Sequence, residues 1–432
     1  MKAHVFYQSN IYIAIVYIFF IEGLLAQSKE LIKPNKIGLQ QNSIPNTIEV
    51  SKILFSGFVF QNTEKKQIWY VPNIFDLFPV NTVEGFVINP KVKFTQNYED
   101  GRFYTFMPNI RYGFGNNRLQ LQLKTNFFYN PKSKSSLHLS GGKNVEQLYV
   151  ESTLSAFNNT VYTFSFKENF LKSYERIYVE IKHVFSPINN FLLSTKISWN
   201  ERIPLDNLPR YQEDDAYTSN NPKNIEVDNT AFLKNKAVLF EANLRWQIGH
   251  HYEKKRGQMI SKGKYPAITV SYTNALEGVF NSDISYQKVA FEIEDSFKSG
   301  KSQGEVHIMI GDFISKDHLT FVDFNHFKGK QTVYGEFSSS QFQVLEYYNY
   351  STANFYFQGH YEHRYRLLTE NGKSTFQPTI AINYLYTQAA GDYIELGIGV
   401  DKVFNNWHVS FYNSWLEGKY DSFGIRIGVS FD

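Results

Sequence analysis

Cysteine is absent from all 432 residues. An exported chain of this length without disulfides depends on hydrogen bonding and packing for its stability, and no cysteine is available to carry a lipid after a leader. Long apolar runs are scarce as well. Mean hydropathy is −0.37, which excludes a helical membrane bundle, since each spanning helix needs a run of roughly 20 apolar residues. Charge of one sign is also lacking: 44 Lys and Arg face 41 Asp and Glu, leaving +3. That excess is too small to imply nucleic acid as a partner.

Aromatic residues are abundant. The 39 Phe and 30 Tyr account for most of an aromatic content of 17%, which fits a protein that sets bulky apolar groups at a lipid boundary. A β-barrel satisfies this composition without long apolar runs, because only alternate residues of each strand face lipid. Closing the sheet also pairs backbone groups that would otherwise be left at an edge.

The single apolar run, Ile11 to Phe20, follows a segment whose one formal side-chain charge is Lys2 and precedes Leu24-Leu25-Ala26-Gln27. This layout reads as a secretory signal peptide over residues 1–26, with cleavage expected after Ala26. The alternative, an anchor helix, has to accommodate Glu22 at the end of a short run. Residues 27–80 read as a periplasmic linker or lead-in. The stretch to about Val50 is polar, with Pro34 and Pro45, and Ile53 to Phe60 is compatible with either a first strand or part of the lead-in.

From residue 81 to 432 the sequence predicts one all-β domain, a transmembrane antiparallel barrel with a short periplasmic N-terminal extension. The last strand has the plainest period. Phe423, Ile425, Ile427, Val429 and Phe431 fall on one face, opposite Ser422, Gly424, Arg426, Gly428 and Ser430. The same alternation sets Phe376, Ile380, Ile382, Tyr384 and Tyr386 against Gln377, Thr379, Ala381 and Asn383. It also sets Trp407, Val409, Phe411 and Trp415 against His408, Ser410, Tyr412 and Ser414. Turn signals such as Glu99-Asp100-Gly101 and Gly115-Asn116-Asn117 divide the earlier strands. The count comes to about 14–16 strands, with an even number expected. Placing the carboxyl end in the periplasm puts the connections 202–236 and 315–350 outside, and also 143–173, whose period mixes helix and strand.

Several stretches then resemble an uncharacterised family of Bacteroidota outer-membrane barrels, domain-of-unknown-function proteins that usually carry an N-terminal carboxypeptidase-regulatory-like domain. They are Asn81-Thr82-Val83-Glu84-Gly85-Phe86, the run Trp199-Asn200-Glu201-Arg202-Ile203-Pro204-Leu205-Asp206-Asn207, Gly359-His360-Tyr361-Glu362-His363, and Asp421-Ser422-Phe423-Gly424-Ile425-Arg426-Ile427. Each is weak alone, and their order and spacing carry the resemblance over roughly residues 50–432. The linker is too short for the regulatory-like domain, and the chain ends Phe431-Asp432 where such barrels commonly end on the aromatic. The resemblance implies an outer-membrane location and a barrel fold, and brings no catalytic residues.

Candidate chemistry is sparse. On the strand from 353 to 367, Asn354, Tyr356, Gln358, His360, Glu362 and Arg364 share a face; the last five of these, with His408 and Arg426, make the lumen-facing set. His360 and Glu362 stand two apart and can reach one ion, but no third ligand is evident, so neither a metal nor a cofactor is expected. His307 with Glu305, and His408 with Ser410 and Ser414, are hydrolase-like groupings without a nucleophile motif. Gly397 and Gly399 read as room for a neighbour's bulk. Arg111, Lys124, Lys196, Arg245 and Arg426 either favour anionic solutes in the lumen or pair with acids such as Glu292, Glu362 and Glu395.

The expected function is passage or translocation of an unidentified cargo. The alternatives are a plugged scaffold presenting the long outer loops to a partner and a barrel-embedded hydrolase, with no enzyme activity as the primary expectation. Expected partners are outer-membrane lipid and, during insertion, the barrel-assembly machinery.

Overall fold

The computed structural model describes residues 57–149, 154–213, 217–249, 251–255, 258–262, 266–300, 302–334, 338–365, 376–403 and 407–429. The signal peptide, most of the linker and Phe431-Asp432 lie outside these residues.

The chain opens with β1 (Phe58–Asn62) and β2 (Gln67–Val71), then one helical turn α1 (Ile74–Leu77), β3 (Val80–Asn81), β4 (Gly85–Ile88) and β5 (Lys93–Asn97). Long strands follow: β6 (Phe103–Gly113), β7 (Arg118–Asn130) and β8 (Ser135–Gln147). After helix α2 (Ala156–Phe166) come β9 (Ser173–Phe185) and β10 (Phe191–Pro204). A second helical turn, α3 (Pro209–Gln212), precedes β11 (Asn235–Gln247), the hairpin β12 (His251–Lys255) and β13 (Gln258–Lys262), and β14 (Ala267–Ala275). The rest are β15 (Ser285–Ser299), β16 (Ser302–His318), β17 (Tyr356–Arg364), β18 (Gln377–Thr387), β19 (Gly391–Val403), β20 (Trp407–Leu416) and β21 (Lys419–Val429).

All but β12 and β13 join one 19-stranded sheet in which each long strand pairs antiparallel with its successor. The sequence count of 14–16 falls short because β1 and β2 join the ladder ahead of residue 81. Short β4 and β5 also lie in line along β6, where Pro90 breaks what would otherwise be one strand.

Period two sorts the sheet as the alternation requires. Leu121, Ile181, Ile197, Val270, Ile382, Leu396, Ile398, Phe411 and Phe423 are exposed on the outer face. Their register makes rows across strands, for Ile380 stands opposite Ile398, Ile398 opposite Phe411, and Phe411 opposite Ile425. Inward positions on the same strands, among them Asn383, Glu395, His408, Ser410 and Arg426, are buried and polar. Gly397 and Gly311 sit inward where a Cβ would collide with the rings of Tyr412 and Tyr356, which is the room-making role read for Gly397.

Antiparallel order places the connections 148–172, 205–234 and 319–355 at one end and the short turns 131–134 and 186–190 at the other. The mixed 143–173 segment resolves into the end of β8 and helix α2. Ser155 caps that helix by accepting the N–H of Asn158 at 3.1 Å, and Lys167 ends it in the left-handed region at φ 59°.

Candidate functional site

The connection 319–355 does not stand outside the barrel. It folds inward along the wall of β17 to β21, and the polar inner face predicted to be wet is largely covered by it. Its aromatic content gives the reason: Phe321, Phe324, Phe327, Phe342, Tyr347, Tyr348 and Tyr350 would be exposed on a solvated loop, whereas here they pack. Phe327, Phe342, Leu345 and Tyr350 of the inward segment form an apolar core with Tyr356, Leu385 and Tyr393 of the wall. A second core joins Phe321, Phe324 and Tyr348 to Leu148 and Tyr174.

Polar wall residues grip the backbone of this plug. Glu395, fully buried, accepts the successive N–H groups of Gln343, Val344 and Leu345 at 2.7, 2.8 and 2.9 Å. Its oxygens also accept from Asn383 Nδ2 and Tyr393 Oη, both at 2.9 Å. Asn383 in turn meets His360 Nδ1 at 2.9 Å, so one hydrogen-bonded chain crosses β17, β18 and β19. Arg426 donates to the carbonyls of Gln343 and Lys330, the latter at 3.1 Å.

At the opposite wall Arg202 of β10 pairs with Asp323 at 2.8 Å, both side chains buried. The three long connections also bind one another. Asn224 Nδ2 donates to the carbonyls of Tyr348, Asn349 and Ser351 at 2.8–3.1 Å, Glu226 accepts the N–H of Ala353 at 2.9 Å, and Tyr162 of α2 accepts that of Val333 at 2.8 Å.

The other residues singled out in the sequence fall around this plug. Tyr356 is buried in the apolar core, and Gln358 donates to Met309 Sδ at 3.5 Å. Arg364 links Glu362 at 2.6 Å, Glu305 at 3.2 Å and Asp401 at 3.3 Å. His408 meets Asp401 at 2.5 Å, and the buried Ser410 hydroxyl has no hydrogen-bond partner among the described residues. Arg111 pairs with Glu84, Lys196 with Glu241 and Arg245 with Glu294, so three of the five cations have acidic partners other than those named from the sequence, while Arg426 holds carbonyls of the plug and Lys124 is exposed. Sequence reasoning missed Arg202, Asp323, Asn224 and Glu226 and gave Glu395 only an ion-pair role; the aromatic density of 319–355 was the available signal.

Beside the plug, along β14 to β16, space remains. A cavity of about 530 Å3 is bounded by Lys288, Lys328, His326 and a row of hydroxyls, and another of about 330 Å3 shares His307 with it. At their junction Glu292, Glu294 and His307 bring ligand atoms within 4.8 Å of one another, but Glu294 is already paired with Arg245 at 2.7 Å and Glu292 with His307 at 2.5 Å.

Residues 51–400 match the model of a family of unknown function, the DUF5686 C-terminal domain. The chain belongs to this family. With an exposed apolar belt, a polar interior and antiparallel spanning strands, this DUF5686 domain is an outer-membrane β-barrel. A search of curated proteins found no match.

Among solved structures the domain is similar to BamA from Haemophilus ducreyi lacking POTRA domains 1–3, at 11% identity and a TM-score of 0.44, over 87% of this chain and 75% of that one. It is similar to a porin mutant of Rh. blastica at 11% identity and a TM-score of 0.33, over 79% and 90%. A third is Wzi of Escherichia coli, described as a carbohydrate-binding barrel involved in capsule assembly, at 10% identity and a TM-score of 0.34, over 86% and 79%. Likenesses this distant carry nothing about cargo or partner.

Proposed function

We propose that the protein is a plugged barrel that serves as an outer-membrane scaffold, ringed by lipid and offering the end built by its long connections to a partner. The observation that carries this reading is the apolar core inside the barrel, where Phe327, Phe342 and Leu345 of the plug pack on Tyr356, Leu385 and Tyr393 of the wall. A plug that left to admit cargo would expose that surface to a wet lumen, at roughly 25 cal/mol for each Å2.

Conductance across a planar bilayer tests the proposal. Purified protein should insert without opening a pore, and shortening the 319–355 connection should produce one. Steady conductance of the unaltered protein would return the function to passage of cargo.

A further inference from the structure

We propose that the turn 276–284, between β14 and β15, is a lipid anchor: Phe280 and Val279 enter the bilayer boundary at the end of the barrel built by the long connections. The proposal uses the lipid-facing belt and is independent of the plug.

Phe280 has φ 49°, between Gly278 at 74° and Asn281 at 60°. That left-handed region suits glycine and asparagine and penalises an aromatic side chain. Packing does not offset the penalty, because Phe280 is 78% exposed and Val279 beside it 41%. The turn is nevertheless fixed. Gly278 N–H donates to the Ser282 carbonyl at 2.9 Å and Ser282 N–H to that of Val279 at 3.0 Å. Asp283 N–H donates to the carbonyl of Lys236, at the start of β11, and Lys236 N–H to the Asp283 carboxylate, both at 2.8 Å. A strained backbone thus holds an aromatic ring away from the protein, which is favourable only where something outside covers the ring.

What covers it follows from where the turn is tied. Trp199 Nε1 donates to the Phe280 carbonyl at 3.3 Å. Ser198 and Asn200 are buried on the inward face of β10, so Trp199 lies on the outward one. Along that face the exposed Ile197 of the belt is followed by Trp199 and then by Glu201, which pairs with Lys234, at steps of roughly 6.6 Å. Apolar side chain, indole and ion pair repeat the order of acyl chain, interface and headgroup. Phe280 and Val279 therefore continue the belt at the level where the acyl chains end, a depth at which exposed apolar side chains sink into the boundary.

A depth measurement in phosphatidylcholine vesicles tests the anchor, and a chain without cysteine lets a single label report. Phe280→Cys carrying the polarity-sensitive dye NBD should emit to the blue of the same dye on Lys223→Cys, an exposed position in the connection 205–234. It should be quenched about twofold or more strongly by lipid nitroxide near the headgroup than by nitroxide at the bilayer centre. Ile398→Cys, in the middle of the belt, should show the reverse preference. Val279→Cys should repeat the Phe280 result and serves if the first variant does not fold. Emission from the turn matching that of Lys223→Cys would put the turn in water, and blue emission without quenching by lipid would put it against protein; either result overturns the anchor. Neither readout depends on conductance, so the plugged-scaffold reading stands or falls separately.

Discussion

The carboxylate of Glu395 accepts the backbone N–H of Gln343 at 2.7 Å, while Arg426 takes the carbonyl of that same residue. One peptide segment of the plug is thus held from both sides by charges of the barrel wall. Replacing Glu395 with Ala leaves three backbone donors, an amide and a phenol without their acceptor in a buried place. The expected loss is about 3–5 kcal/mol of stability, accompanied by conductance that the parent lacks. Glu395→Gln, which keeps one acceptor oxygen, should fall between. Denaturant midpoints in vesicles together with bilayer recording check this, and an unchanged midpoint with a silent barrel would remove the grip.

The Arg202–Asp323 pair, with side chains 5% and 1% exposed, anchors the other flank of the plug. Either Arg202→Met or Asp323→Leu alone strands a buried charge and should cost about 3–5 kcal/mol, whereas the double variant should cost clearly less than their sum. A double-mutant cycle on unfolding free energies measures the coupling. Simple additivity would mean that the two side chains do not depend on each other.

Why the wall was legible and the plug was not follows from the range of the interactions. The apolar stripes of β18, β20 and β21 are set by neighbours two residues apart, so Ile380, Phe411 and Ile425 announce their faces locally. The plug depends on contacts between residues far apart in the chain, such as Glu395 with Gln343 and Arg202 with Asp323, which no local period encodes. Strand counting placed 315–350 outside the barrel, whereas the polar groups of 319–355 are satisfied by an interior that is itself polar. The Asn81–Phe86 and Trp199–Asn207 stretches meet where Thr82 Oγ1 bonds Asn207 Oδ1 at 2.6 Å and Leu208 N–H reaches the Thr82 carbonyl at 2.8 Å. Arg202 of the second stretch and Arg426 of the closing strand both hold the plug.

Lys172, in the connection before β9, is buried and donates to the carbonyls of Asn169 and Ser219 at 2.5 and 2.6 Å. Burial pulls its ammonium down to about 7 from an ordinary 10.5, with Glu168 opposing the shift. Between those values the unfolded chain keeps a proton that the folded chain has released, so stability should rise with pH across that window, by at most about 1.4 kcal/mol per pH unit. Below about pH 7 both states carry the proton and this lysine adds no slope. Lys172→Met should remove the dependence, which shows as the difference between the two unfolding free energies from pH 7 to 10. Parallel curves for parent and variant would contradict it.

Ile398 is 66% exposed at the middle of β19, flanked across the ladder by Ile380 and Phe411. Were that face wetted by water, Ile398→Arg would lie within about 0.5 kcal/mol of the parent, as exposed surface substitutions generally do. Against acyl chains the same arginine at mid-depth should cost about 2–4 kcal/mol, with the penalty fading toward either rim of the belt. A series placing Arg at Ile394, Leu396 and Ile398, followed by unfolding in phosphatidylcholine vesicles, separates the two environments by the depth profile as well as by size. A flat and small response along the strand would take the belt out of the bilayer, and with it the reason why a chain of such modest hydropathy exposes a continuous apolar band.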